Sequence, residues 1–191
     1  MEPNSSKKSA FLLFDWSLTI KDYFKIHDRN EILNTLIMPA VSGIIIIVSH
    51  FLKFDVTNDL WDFFLNNVVS LMSILIGFSI ATITILVTTE NASLKLLKEE
   101  KINIKIDGWD YSLFDKILTS FLYTVILEII TIILVFIYPL FIDVEKNPIY
   151  YLVPFLLTMH VLSVLLRNML NFYHSIFNRK VATNRKDRYT G

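Results

Sequence analysis

Charged residues divide this chain into four long apolar segments. The segments cover residues 32–52, 63–89, 117–142 and 147–166. Each is about 20 residues or longer, which is the length an α-helix needs to cross a hydrocarbon core of about 30 Å. Helices of a soluble bundle carry a polar face at helical spacing, and these segments have no charged face. The pattern predicts an all-α polytopic membrane protein, a bundle of four transmembrane helices.

The N-terminal segment, residues 1–31, has a different pattern. On a helical projection its apolar side chains gather on one side and its charged side chains on the other, with Phe11, Phe14 and Leu18 as exceptions. This predicts an amphipathic helix in the headgroup layer, where Trp and Tyr side chains are favoured. A docking surface for a partner is the alternative. The apolar side consists of Leu12, Leu13, Trp16, Ile20, Tyr23 and Phe24.

The connector between spans two and three covers residues 90–116. We expect the second span to continue as a helix as far as residue 100. Residues 102–106 then alternate like a short strand, which ends at the turn signal Asp107-Gly108. This strand has no evident partner in the chain, so it is an extended loop, or it pairs with another protein or a second copy. Ser112 and Asp115 have the spacing of a cap for the third helix.

The basic residues predict the orientation in the membrane. The chain has 18 lysines and arginines, and only Lys53 and Lys146 lie outside the N-terminal segment, the middle connector and the tail at residues 167–191. Because basic loops stay in the cytoplasm, both termini and the middle connector are predicted to be cytoplasmic. The formal net charge is zero, so the chain as a whole is not suited to nucleic acid.

The tail is predicted to begin as a helix and to end as a basic cluster. Clusters of this kind next to a span usually contact anionic lipid headgroups, at about 1 kcal/mol per basic residue. A protein partner is the second possibility. Nucleic acid is disfavoured, because the cluster is small and no aromatic residue is interleaved before Tyr189. The cluster consists of Arg179, Lys180, Arg185, Lys186 and Arg188.

Catalytic chemistry is not indicated by the sequence. The chain has no cysteine, which excludes a disulfide framework, a thiolate zinc site and a cysteine nucleophile. It also lacks the glycine-rich phosphate loops, the HExxH pair and the GxSxG elbow of common enzyme families. We therefore expect no enzyme activity, no metal site and no cofactor.

One acidic residue, Glu128, lies inside a predicted span, close to the midpoint of the third. With Ser120, Thr124 and Thr131 it forms a polar stripe on one helical face. Such a group is costly to insert and should face the bundle or water, where it serves a proton or cation path or a gate. The alternative is a protonated carboxyl that only joins two helices. His160 on the fourth span is the nearest titratable candidate, and two such residues do not make a metal site.

The second span has a face of small and hydroxyl-bearing residues. Ser73, Gly77 and Ala81 are spaced four residues apart, and Thr84 and Thr88 continue the face. Small residues let membrane helices approach closely. The face therefore predicts either packing inside the bundle of one chain or an interface between subunits.

The architecture as a whole resembles that of the small membrane subunits of bacterial antiphage defence systems. The shared features are four spans, a charged cytoplasmic connector, a second span rich in Ser and Thr, and no extracellular domain. The membrane subunit of the Kiwa system is the most similar in size and layout. The resemblance covers the whole chain as architecture and includes no residue motif. It implies a homo-oligomeric sensor that engages a cytoplasmic effector protein encoded beside it.

Two functional hypotheses follow from the sequence. The first is an oligomeric sensor or scaffold of the bacterial inner membrane that recruits a cytoplasmic effector, because the polar mass of the chain is predicted on the cytoplasmic side. The second is a pore or ion channel that depolarises the membrane, with Glu128 in the path. The expected partners are the lipid bilayer, further copies of the chain and a cytoplasmic protein.

Overall fold

The computed structural model describes residues 15–52, 56–89, 92–106, 108–141 and 152–189. Some side chains within these ranges, including those of residues 175–189, are outside the description. In the described ranges the chain forms six helices and one two-stranded hairpin. In chain order these are α1 (Asp15–Ile26), α2 (Arg29–Phe51), α3 (Val56–Thr88), α4 (Ala92–Glu99), β1 (Lys101–Ile106), β2 (Trp109–Ser112), α5 (Leu113–Phe141) and α6 (Leu152–Tyr189).

Four of these helices are long and apolar enough to cross a membrane. The apolar stretches are Arg29–Ser49 in α2, Phe63–Thr88 in α3, Leu113–Ile137 in α5 and Leu152–His174 in α6. This confirms the predicted all-α fold with four helices long and apolar enough to cross a membrane, and it fits a multi-pass membrane protein. Helix α6 continues without a break past residue 166, where its span was predicted to end. Residues 147–151, where that span was predicted to begin, lie outside the described residues.

Helix α5 lies at the centre of the structure. It contacts α1, α3, α4 and α6, whereas α2 packs mainly on α6, and α3 packs mainly on α5. The spanning helices are therefore arranged in the order α2, α6, α5, α3, and α2 makes little contact with α3. This arrangement leaves much of the surface of α3 uncovered by its own chain.

Two clusters of buried apolar side chains hold the helices together. The first joins α1, α3, α5 and α6, and the second joins the end of α3 to α4, α5 and α6. Burial of such side chains is the main stabilising contribution where water would otherwise reach them, as it would around α4. Members of the first cluster include Tyr23, Met72, Tyr123, Leu127 and Val161, and members of the second include Leu86, Leu97, Phe114, Phe121 and Leu165.

Helix α1 packs against α5 and β1. Tyr23 and Ile26 are fully buried, while Trp16 and Phe24 are about half exposed. The predicted apolar side of this helix is therefore divided between the bundle and the outer surface. Leu12 and Leu13, which were assigned to the same side, lie outside the described residues.

The prediction that the connector strand lacks a partner in the chain was wrong. β1 pairs with β2 in an antiparallel hairpin, with Lys105 opposite Asp110 and an irregularity between Lys101 and Lys105. Gly108 makes the turn possible because its φ of 85° lies in the left-handed region, which favours glycine. The sequence pattern did not predict β2, because its four residues are too few to show an alternation. They also include an aspartate, which is depleted in strands.

The predicted continuation of the second span to residue 100 was also wrong. α3 ends at Thr88, and α4 is a separate helix. Leu94 and Leu97 of α4 are buried in the second apolar cluster, together with Phe114 and Leu165. A straight continuation of α3 would carry these leucines away from α5 and α6, so the chain must turn to bury them.

The predicted cap of the third span is confirmed. The backbone N–H of Ser112 donates to Oδ2 of Asp115 at 2.8 Å, and the N–H of Asp115 donates to Oγ of Ser112 at 3.2 Å. This reciprocal arrangement satisfies N–H groups that a helix leaves without intrahelical acceptors. It fixes the start of α5 directly after the hairpin.

Candidate functional site

The four polar residues predicted to share a face of the third span all lie inside the bundle. Ser120, Thr124, Glu128 and Thr131 are almost fully buried, and the exposed fraction of Glu128 is 0%. We call these residues the α5 stripe. Because α5 is surrounded by other helices, this face meets protein rather than lipid.

The stripe is bonded to α6 through Asn168, a residue that the sequence analysis missed. Ser120 Oγ donates to Asn168 Oδ1 at 2.6 Å, and Asn168 Nδ2 donates to Thr124 Oγ1 at 3.2 Å. The amide thus uses both its acceptor and its donor within the bundle. The predicted end of the span at residue 166 placed Asn168 in the tail, whereas the hydropathy of α6 extends the span to His174.

Glu128 is bonded to α3 through Ser79. Ser79 Oγ donates to Oε1 of Glu128 at 3.2 Å, and Ser79 is itself fully buried. Within the described residues, Oε2 of Glu128 has no hydrogen-bond partner. Ser79 lies on the side of α3 that faces α5, whereas the sequence analysis singled out the opposite, small-residue side.

His160 is paired with Tyr123 and not with Glu128. Its Nε2 lies 3.2 Å from the hydroxyl of Tyr123, whose ring is stacked on that of Tyr23 with a centroid distance of 3.8 Å. The predicted proximity of the two titratable residues therefore does not produce a direct bond between them. His160 belongs instead to an aromatic group that joins α1, α5 and α6.

Arg167 of α6 joins α1 and α2 to that aromatic group. Its Nη1 donates to the backbone oxygen of Glu31 at 2.7 Å, and its Nη2 donates to the hydroxyl of Tyr23 at 3.0 Å. The guanidinium also lies 5.8 Å from the centroid of the Tyr23 ring. Burial raises the pKa of Tyr23, so its hydroxyl is neutral when it accepts the hydrogen bond from Arg167.

A polar cavity opens where α2 and α5 begin and α6 leaves its span. We call this side of the molecule, next to α4 and the hairpin, the connector end. The cavity has a volume of about 210 Å³. At the wall of the cavity, Lys116 Nζ lies 2.8 Å from each carboxylate oxygen of Glu31. Its polar lining includes His27, Glu31, Lys116, Ser120, Asn168 and His174.

His27 is the buried titratable group at this cavity. Its backbone N–H and its ring Nδ1 both lie within hydrogen-bond distance of the Tyr23 backbone oxygen, at 3.1 and 2.9 Å. Because a carbonyl accepts only, Nδ1 carries the hydrogen and Nε2 the lone pair. Burial, with smaller contributions from the nearby cations Arg167 and Lys116, lowers the pKa of His27 to about 4.

The small-residue face of α3 is exposed. Ser73, Gly77, Ala81, Thr84 and Thr88 all lie on the surface, and a side chain at Gly77 would meet no atom within 4 Å. The prediction that this face packs inside the bundle of one chain is therefore wrong. The physical reason is the position of α3 at the edge of the helix arrangement, where it packs mainly on α5. Packing between subunits stays a prediction.

The basic cluster of the tail falls on the C-terminal part of α6. The backbone there is helical as far as Tyr189. The side chains of Arg179, Lys180, Arg185, Lys186 and Arg188 lie outside the described residues. Their role as a lipid-binding or partner-binding cluster stays a prediction.

Among the residues that the structure describes, no group of three or more His, Asp or Glu side chains is arranged to hold a metal ion. No protein-family model, no curated protein and no solved structure matches this chain.

Proposed function

We propose that this protein is an oligomeric scaffold or sensor of the bacterial inner membrane that recruits a cytoplasmic effector protein. The proposal agrees with the resemblance to membrane subunits of antiphage defence systems. The observation that carries it is the distribution of polar groups. The polar side chains of the α5 stripe bond within one chain, whereas the charged side chains of α4 and β1 are exposed at the connector end.

The connector end offers a folded surface for a protein partner. α4 is held to the bundle by Leu94 and Leu97, so its charged side chains point outwards. Lys101 and Lys105 of β1 are exposed as well. A surface that is ordered before binding loses less conformational entropy when it binds. These elements support recruitment of a protein partner.

The proposed membrane placement uses the same elements. We propose that α1 lies at the cytoplasmic headgroup layer as an amphipathic interfacial helix, since Trp16 and Phe24 remain about half exposed beside a buried Tyr23. The basic cluster beyond the fourth span would contact anionic lipid. With both termini in the cytoplasm, the connector end faces the effector.

Introduced cysteines test this orientation, and the chain has no cysteine of its own. Because the basic residues concentrate in three segments, Asn58→Cys and Asn147→Cys should react with an impermeant thiol reagent added to intact cells. Ser93→Cys and Thr183→Cys should react only after the cells are opened. Reaction at Ser93→Cys in sealed cells would contradict the orientation.

Assembly is expected to use the exposed small-residue face of α3. Gly77→Leu adds a large side chain in the middle of that face, where the structure offers open space within one chain. The variant should therefore fold normally yet lose close helix contact between copies, and the oligomer in mild detergent should shift to smaller species. Ile76→Ala, on another face of the same helix, is a matched control. An unchanged size distribution in Gly77→Leu would argue against this interface.

The scaffold role is tested by co-purification with the product of the neighbouring gene. We expect that protein to co-purify with the tagged chain and with Glu128→Gln, which preserves size and hydrogen bonding. Deletion of the tail after Phe177, or replacement of residues 99–106 by a Gly-Ser linker, should abolish the association. Failure of the neighbouring product to associate with the wild-type chain would refute the scaffold role.

The pore remains the second candidate because Oε2 of Glu128 is unpaired within the described residues. If the protein were a channel, the wild type in liposomes should dissipate a proton or potassium gradient, and Glu128→Gln should be markedly slower. We expect neither to leak. A large leak that the substitution abolishes would replace the scaffold proposal with the pore.

A further inference from the structure

The face of α5 that carries the stripe is polar from Glu128 to the connector end, and on the other side it becomes apolar after Thr131. Towards the connector end it continues through Thr124 and Ser120, and Ser120 and Asn168 line the polar cavity. Towards the opposite end Thr131 is followed on this face by Val135, which is buried in the first apolar cluster. Among the described residues, polar groups therefore lead from the connector end to Glu128 and stop shortly beyond it.

The hydroxyl groups around Glu128 have no hydrogen to spare for its free oxygen. Thr124 donates to the backbone oxygen of Ser120, and Thr131 donates to that of Leu127, each at 2.8 Å. Ser79 already donates to Oε1. Each hydroxyl has a single hydrogen. Oε2 therefore has no hydrogen-bond donor among the described groups, and it has to carry a hydrogen itself or receive one from water.

No described cation balances a charge on Glu128. α3 has no titratable side chain from residue 63 to 88, and His160 of α6 is engaged by Tyr123. Arg167 is engaged by Tyr23 and the Glu31 backbone, and Lys116 is paired with Glu31 at the cavity. A buried carboxylate with one hydrogen bond and no counter-charge is strongly disfavoured, so the carboxyl binds a proton instead.

We propose that Glu128 is a proton-binding site with access from the connector end only. The cavity reaches Ser120 and Asn168, and Asn168 donates a hydrogen bond to Thr124. Thr124 lies four residues from Glu128, about 6 Å along the helix axis. A single water between polar groups spans such a gap. The apolar packing at Val135 closes the opposite side, so protons exchange with one compartment and do not cross.

Sidedness is tested with single cysteines in sealed vesicles of the full chain. Ser120→Cys and Thr124→Cys should react with a small cationic thiol reagent from the side that labels Thr183→Cys. Val135→Cys, on the same face beyond Glu128, is the matched control and should react from neither side. Reaction of Ser120→Cys or Thr124→Cys from the side that labels Asn58→Cys would overturn the proposal. Absence of reaction at both positions from either side would overturn it as well.

Proton binding is tested with dicyclohexylcarbodiimide, which enters apolar regions and reacts with protonated carboxyl groups. The carboxyl oxygen bonds to the central carbon of the reagent, and the carboxyl proton moves to one of its nitrogens, so nothing leaves. Mass spectrometry should find the adduct on Glu128, with at least a tenfold smaller yield on the whole chain in Glu128→Gln. Raising the pH on the connector side of sealed vesicles should lower the yield several-fold.

The same pH change on the opposite side should leave the yield unchanged. A response to that side, or an adduct yield equal in wild type and Glu128→Gln, would refute the site. Both tests use the chain without a partner protein. Their failure is therefore distinguishable from failure of the scaffold role, which is measured by co-purification.

Discussion

Arg167→Met should release α1 from the bundle. The guanidinium of Arg167 donates to the Tyr23 hydroxyl and to the backbone oxygen of Glu31, and methionine can make neither bond. A hydrogen bond to a charged group contributes about 1.5–3 kcal/mol, so we expect the opening free energy of α1 to fall by roughly 2–4 kcal/mol. The four spans themselves should remain folded, because their apolar clusters do not depend on this side chain.

Hydrogen exchange of the backbone amides of α1 measures this effect directly, since local opening is read without unfolding the spans. Tyr23→Phe removes only the hydroxyl and keeps the ring that stacks on Tyr123. In a double-mutant cycle the two substitutions should therefore be less than additive. Arg167→Lys, which keeps the charge but not the two-pronged donor, should give an intermediate result. Full additivity would show that Arg167 and Tyr23 act independently.

Acidification should loosen the corner between α1 and α2. His27 titrates at its ordinary value of 6.5 when it is free, whereas burial lowers its pKa to about 4 in the folded corner. The free state therefore binds the proton more readily than the folded state. The folded corner therefore has its full stability above pH 6.5, where His27 is neutral in both states, and it loses stability as the pH falls towards 4. Over this window the cost is about 3 kcal/mol at 1.36 kcal/mol per pKa unit.

The measurement is amide exchange of residues 15–28 as a function of pH, corrected for the intrinsic rate. His27→Gln keeps a side-chain donor for the Tyr23 carbonyl but cannot gain a proton, so its corner should lose most of the pH dependence. His174→Gln removes an exposed histidine from the same cavity and is the matched control. An equally strong pH dependence in His27→Gln would assign the effect to another group.

Several features of the molecule followed from local sequence. The four spans are determined by the length of the apolar segments. In lipid, a segment of that length satisfies its backbone N–H and C=O groups by forming a helix. The α5 stripe follows from helical spacing, since residues three and four apart share a face. The cap formed by Ser112 and Asp115 and the turn at Gly108 depend on neighbouring residues alone. Each of these features is decided within one continuous segment of the chain.

The partners of those features were decided by the tertiary structure. Helical spacing places Glu128 on an inner face, but only the packing of α3 on α5 brings Ser79 to it, and only the packing of α6 brings Asn168 to Thr124. The same packing leaves Gly77 on the surface. The spacing of polar and apolar residues shows which face of a helix is suited to water, lipid or protein. It does not show which neighbouring helix covers that face, or which residues of the neighbour lie at the same depth. That choice is made jointly by all the helices when they pack.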